Sequence, residues 1–95
     1  MNIDIKNKKA AALKYTPGAD EAPIISAVGS GVIADNIVEA ARKNDVPVVE
    51  DKTAAEVLSD FSVGDAVPEQ LYEVIAQILA FIAQTDDKLK NKFTL

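Results

Sequence analysis

Apolar and polar positions alternate in blocks that break the chain into six short elements. Lys8, Lys9 and Lys14 bracket the apolar run Ala10–Leu13, and the chain passes through Tyr15 into Thr16-Pro17-Gly18. Pro-Gly is a strong turn signal, so this block reads as a strand entering a turn. Residues 22–28 form a second apolar run, with Pro23 near its start, where a missing N–H is tolerated. Gly29-Ser30-Gly31 interrupts it. From Val32 to Lys43 the spacing changes: Ile33, Ile37, Ala40 and Ala41 recur at helical intervals, with Asp35 early and Arg42-Lys43 late, as the helix dipole favours. Ser30 is the expected N-cap of this helix.

Val46-Pro47-Val48-Val49 has the look of a short strand buried on both faces. Thr53-Ala54-Ala55-Glu56 has capping-box spacing and opens a short helix through Val57, Leu58 and Phe61. Val63-Gly64-Asp65 is a turn, and Pro68 stands where a first helical position belongs. Leu71, Ile75, Ile78, Leu79 and Ile82 form the apolar face of a last helix. The result is a small α/β domain: a mixed sheet of three to four strands flanked by three helices, in the order β-β-α-β-α-α. Residues 22–50 form a strand–helix–strand unit with an expected parallel pairing and right-handed crossover. The 95 residues make one domain, with a core over 8–84 and a charged tail, 85–95, expected to fray.

Charge and composition narrow the function. Ten basic residues against fifteen acidic ones give a net charge of −5, which argues against nucleic acid, where Lys and Arg must neutralise phosphates. Histidine and cysteine are both absent, removing the usual general base, the thiolate nucleophile and the commonest metal ligands. Neither catalysis, metal nor cofactor is therefore expected. No apolar run approaches the roughly 20 residues of a membrane helix, so no direct membrane insertion is expected and the default is a soluble cytoplasmic protein.

Two features retain a possible ligand chemistry. Gly29-Ser30-Gly31-Val32-Ile33-Ala34 fits the Ala-ended dinucleotide fingerprint between a strand and a helix, and Glu50 follows nineteen residues after Gly31, about where an acid would hold a ribose. Against this, a dinucleotide site normally spans two mononucleotide halves, and the chain has room for one. The competing reading is structural: the glycines permit a sharp turn, Ser30 caps the helix, and Gly29, Ser30 and Gly31 amount at most to a weak anion site. Glu50-Asp51, at the end of the expected third strand, reads mainly as strand termination.

The elements also carry a resemblance. Ala12-Leu13-Lys14-Tyr15, six residues, then Ala22-Pro23, is similar to the cytoplasmic domain of the FlhB family of flagellar and type III secretion export proteins. Ala27, Gly29, Ile37, Ala41, Val46-Pro47, Val49-Glu50, Ala54, Leu58 and Val63-Gly64 continue it at the same spacing. So do Val67-Pro68, Leu71-Tyr72, Val74, Ala76 and Leu79-Ala80, without a gap from about residue 10 to 83. The resemblance implies a non-catalytic interaction module tied to protein export and recruited to the membrane export apparatus. Its partners would be export-gate proteins, export substrates or chaperones, or a membrane-bound FlhB. A small-ligand or nucleotide module using Gly29–Ala34 is the alternative.

In that family the segment ahead of the alanine strand carries Asn-Pro-Thr-His, where the chain cuts itself through the asparagine side chain. The corresponding positions are Ile5, Lys6, Asn7 and Lys8, and none matches. In the family, too, the cleaved turn joins an upstream strand to the downstream one. With little chain ahead of that turn here, Lys8, Lys9, Ala10, Ala11, Ala12, Leu13, Lys14 and Tyr15 are expected to present an open strand edge to a partner, guarded by the lysines. Alternatively Ile3 and Ile5 extend the strand and fold over the gap.

Because isoleucine replaces the cyclising asparagine, the chain is expected to stay whole. Intact-mass spectrometry after days at neutral pH should show one species. A fragment pair cut between residues 5 and 9 would contradict this.

Overall fold

The computed structural model describes residues 8–16, 18, 20–85 and 92–95. Strand β1 (Lys9–Lys14) pairs antiparallel with β2 (Ile24–Ser30), and helix α1 (Val32–Lys43) follows directly. Helix α2 (Lys52–Leu58), a 3₁₀ turn (Glu69–Leu71), helix α3 (Tyr72–Thr85) and strand β3 (Lys92–Thr94) complete the chain. The sheet order is β2-β1-β3, with both pairings antiparallel. The domain is thus α/β with three helices. No helix among the described residues is long and apolar enough to cross a membrane.

β1 is made of Lys-Ala-Ala-Ala-Leu-Lys, and alanine has little intrinsic preference for strands. Packing decides the matter. Both α1 and α2 contact β1, and Ala10 and Ala11 are 1% and 0% exposed. Small side chains let the two helices approach the central strand closely. Ala11, Leu13 and Ile25 join Ala54, Leu58, Val67, Leu71, Ile75 and Leu95 in one apolar core. The β1–β2 register shifts between Ala12 and Leu13, so that Ser26 bulges from β2, and its hydroxyl donates to the Ala12 carbonyl. The far edge of β2 is partly covered: Ile25 donates to the Asp65 carbonyl, and Val67 donates to that of Pro23.

The third strand expected at 46–50 does not form. α1 ends in a Schellman motif, with Asp45 in the left-handed region (φ 58°) and the Val46 N–H donating to the Ala41 carbonyl at 2.8 Å. Val46 therefore spends its donor on the helix, and Pro47 has none to give. What remains is one parallel bridge between Val48 and Thr94. The strand–helix–strand unit is consequently absent, and the last strand comes from the far end of the chain. There Lys92–Thr94 form β3, and Leu95 is buried in the core, so this part of the expected frayed tail is ordered structure.

Two caps also differ from expectation. α1 has Gly31 at its N-cap and no side-chain cap bond, while Ser30 remains the last residue of β2. α2 starts two residues earlier than its capping box implies, and Asp51 is the cap, its carboxylate accepting from the Ala54 N–H at 3.0 Å. Pro68 likewise precedes the 3₁₀ turn in an extended conformation rather than opening α3 itself.

Gly29 is a packing glycine. A Cβ at this position would collide with the side chain of Ile33, in the first turn of α1. Gly29→Ala should therefore destabilise the domain by about 1–3 kcal/mol, the usual cost of overpacking. Urea unfolding of the two proteins measures this, with a lowered midpoint as the expected outcome.

Candidate functional site

The candidate partner edge, the glycine turn and the two carboxylates occupy separate parts of the domain, and β1 is the element that organises them. Of the cleavage-motif positions, Ile5, Lys6 and Asn7 lie outside the described residues. Lys8 is placed, and its role is structural: its carbonyl accepts from the Gly31 N–H at 2.8 Å, and its ammonium pairs with the Asp35 carboxylate on α1. Both side chains are 41% exposed, so this ion pair contributes little to stability and serves mainly to hold the start of β1 against α1.

Of the open edge expected along residues 8–15, the stretch Ala11–Lys14 is filled. Ala12, Leu13 and Lys14 face Thr94, Phe93 and Lys92 across the β1–β3 ladder. Ala11 then exchanges two backbone bonds with Leu95, donating at 3.0 Å and accepting at 2.8 Å. β3 is held on its other side as well. Thr94 donates to the Pro47 carbonyl at 2.9 Å, and the Val49 N–H donates to the Thr94 carbonyl at 2.9 Å. The physical reason is elementary: a central strand buried under two helices cannot leave its N–H and C=O groups unpaired. Sequence reasoning missed this occupant because a run of charged residues precedes it. The available signal was the brief return to Phe93-Thr94-Leu95. Tyr15 stands past the end of β1, half-buried, beside a shallow apolar depression of about 220 Å³ lined by Pro23, Tyr72, Ile75 and Leu79.

The glycine turn lacks the surroundings of a nucleotide site. Its fingerprint geometry requires a parallel strand after the helix, and β1 and β2 are antiparallel with no strand following α1 directly. Asp35 already supplies a negative charge in the first turn of α1, and Val32 and Ile33 there are 65% and 58% exposed. A phosphate at Gly29, Ser30 and Gly31 would meet an acid and two exposed apolar side chains, Val32 and Ile33. Glu50 lies elsewhere, in a cleft of about 500 Å³ shared with Lys8, Lys9, Arg42 and Lys52. Its neighbour Asp51 is engaged as the α2 cap. Among the described residues no group of three acidic side chains is placed to hold a metal ion.

A concavity of about 670 Å³ runs beside α1. Its wall is Ile33, Ile37 and Ala40 of the helix, and its floor is the small-residue strip Ala12, Ala27 and Thr94, with Asn36 and Asn44 at the polar margin. An apolar wall over a floor of alanines, with an exposed isoleucine at one end, is suited to apolar side chains of another chain.

The domain is thus a mixed α/β fold built on a buried alanine strand, with a cleft on either side of its first helix. The chain belongs to the FlhB HrpN YscU SpaS family, whose model matches residues 7–82. It is 45% identical over 85 residues to the uncharacterized protein YlqH of Bacillus subtilis, covering 90% of this chain and 91% of that one. It is 39% identical to the flagellar biosynthetic protein FlhB of Aquifex aeolicus and 38% identical to that of Bacillus subtilis, over 77% and 84% of this chain. Those matches cover only 21% and 22% of the FlhB proteins, so the chain spans about a fifth of their length.

Proposed function

We propose that the chain is a non-catalytic protein-interaction module linked to flagellar or type III protein export. The relatives named flagellar biosynthetic protein support the setting. The observation that carries the interaction reading is the groove beside α1, where Ile33, 58% exposed, stands over the alanine floor of the sheet. Solvated isoleucine at the mouth of an apolar groove is a binding anchor, because covering it removes apolar area from water at no conformational cost to the scaffold. The partners fitting this setting are export-gate proteins, export substrates or their chaperones, or a membrane-bound FlhB. The protein works at the cytoplasmic side of the export apparatus. The nucleotide reading of Gly29–Ala34 gains nothing from the structure, since Gly29 is accounted for by its contact with Ile33.

Ile33→Asp tests the reading directly. The side chain is mostly exposed, so folding should survive, while a charge in the groove costs a partner the burial of an isoleucine, about 1.5–3 kcal/mol. Binding to a purified flagellar export apparatus, followed by surface plasmon resonance, should weaken by about tenfold or more. Equal binding by the variant and the parent, with both circular dichroism spectra alike, would refute the assignment.

A further inference from the structure

We propose that the cleft of about 500 Å³ on the other flank of α1 docks an acidic segment of a partner protein, lying extended with aliphatic side chains between its carboxylates. The proposal rests on reading the chain as an interaction module. It concerns a separate surface, because this cleft and the isoleucine groove share no lining residue. On α1 itself, Val38 and Arg42 face this cleft, while Ile33, Ile37 and Ala40 face the groove.

The first observation is the charge on the rim, to which three elements contribute. Lys9 stands at the start of β1, Arg42 in the last turn of α1, and Lys52 opens α2. All three are exposed, and among the described residues none has a carboxylate within ion-pair distance. Lys8, the fourth cation, is already paired with Asp35, and the Asp51 carboxylate accepts from the Ala54 N–H. Asp35 and Glu39 line an adjoining depression that shares Arg42, and neither pairs with it. Glu50 is then the one rim carboxylate set against Lys9, Arg42 and Lys52, a local cationic excess in a chain of net charge −5. That overall charge limits the size of the anion. A nucleic acid or an anionic membrane would meet the negative charge of the whole chain, whereas a short acidic segment meets only the rim.

The second observation is the surface between these cations. Val38, Val48 and Val49 are half-buried there, and Ala55 is buried. A bare anion would leave this aliphatic lining wet. A carboxylate followed by an aliphatic side chain covers both kinds of surface.

The third observation is backbone. The Pro47 carbonyl and the Val49 N–H are spent on Thr94, through the parallel bridge between Val48 and Thr94. In such a bridge the N–H and C=O of the middle residue point the other way. Those of Val48 have no hydrogen-bond partner among the described residues. Val48 lines the cleft, so a ligand with its own N–H and C=O groups can satisfy both. An ionised fatty acid has no donor for the carbonyl. The chemistry therefore favours a protein segment over a small aliphatic acid.

Fluorescence anisotropy with the full chain and the labelled peptide Ser-Glu-Val-Asp-Val-Glu-Ser tests the site. The peptide should bind, and its neutral counterpart Ser-Gln-Val-Asn-Val-Gln-Ser should bind at least about tenfold more weakly. Arg42→Glu with Lys52→Glu should weaken binding by about tenfold or more and leave the circular dichroism spectrum unchanged, since both side chains are exposed. Glu50→Gln should tighten binding by about threefold, a gain that damage to the fold cannot produce. Ile33→Asp should leave the affinity unchanged, which separates failure of this site from failure of the α1 groove. Octanoate in excess should not displace the peptide. The proposal is overturned if the peptide does not bind, if the neutral peptide binds equally well, or if the rim substitutions leave the affinity unaltered. Loss of binding in Ile33→Asp, or displacement by octanoate, would overturn it too, the latter by making the cleft a site for small aliphatic acids.

Discussion

The pairing of β1 on both of its edges is the constraint on which the rest of the domain depends. A strand of alanines offers little hydrophobic area of its own, but it allows α1 and α2 to come close on opposite faces. Once both faces are covered, every backbone donor and acceptor of the strand must find a protein partner. β2, the next strand in sequence, satisfies one edge. The other edge is satisfied by residues from the opposite end of the chain, and their insertion also fixes residues 47–49, which lack enough donors to make a strand alone.

The three helices were legible because each carries a periodic apolar face, and α1 has the bounds the sequence implies, Val32–Lys43. β1 and β2 were legible through the Pro17-Gly18 turn signal and their apolar runs. The failures are local competitions between backbone acceptors. Val46 looks like a strand residue, yet its N–H closes α1, because Asp45 adopts a left-handed conformation that sequence reasoning reserves for glycine or asparagine. Thr53 has capping-box spacing, but the Asp51 carboxylate takes the Ala54 N–H and begins the helix two residues early. β3 was hidden because a three-residue strand after a charged run has no periodicity to detect, and only its long-range partners give it a reason to exist.

The glycine fingerprint shows how a motif can be matched for the wrong physical reason. Gly29 is needed for the close passage of α1 over β2, and Gly31 for a backbone at φ 63°. Both requirements arise in a dinucleotide fold as well, and the six-residue pattern cannot separate them. The collinear set of residues from Ala12 to Ala80 was far more informative than any short motif within it, and the family match over residues 7–82 rests on that same span. The strand edge expected to stand open is instead paired over Ala11–Lys14. An edge filled by a short segment of the same chain is protected against pairing with other chains.

The central claim is that residues 92–95 complete β1 in the isolated chain. Residue-resolved amide hydrogen exchange on the monomer addresses it, through the N–H groups of Ala11, Val49, Thr94 and Leu95. These four should exchange together, slowed at least about a hundredfold relative to an unstructured peptide and less protected than the Ile25 N–H near the β1–β2 interface. Exchange of all four at the unstructured rate would mean that β3 does not occupy the slot and that this edge of β1 stands open.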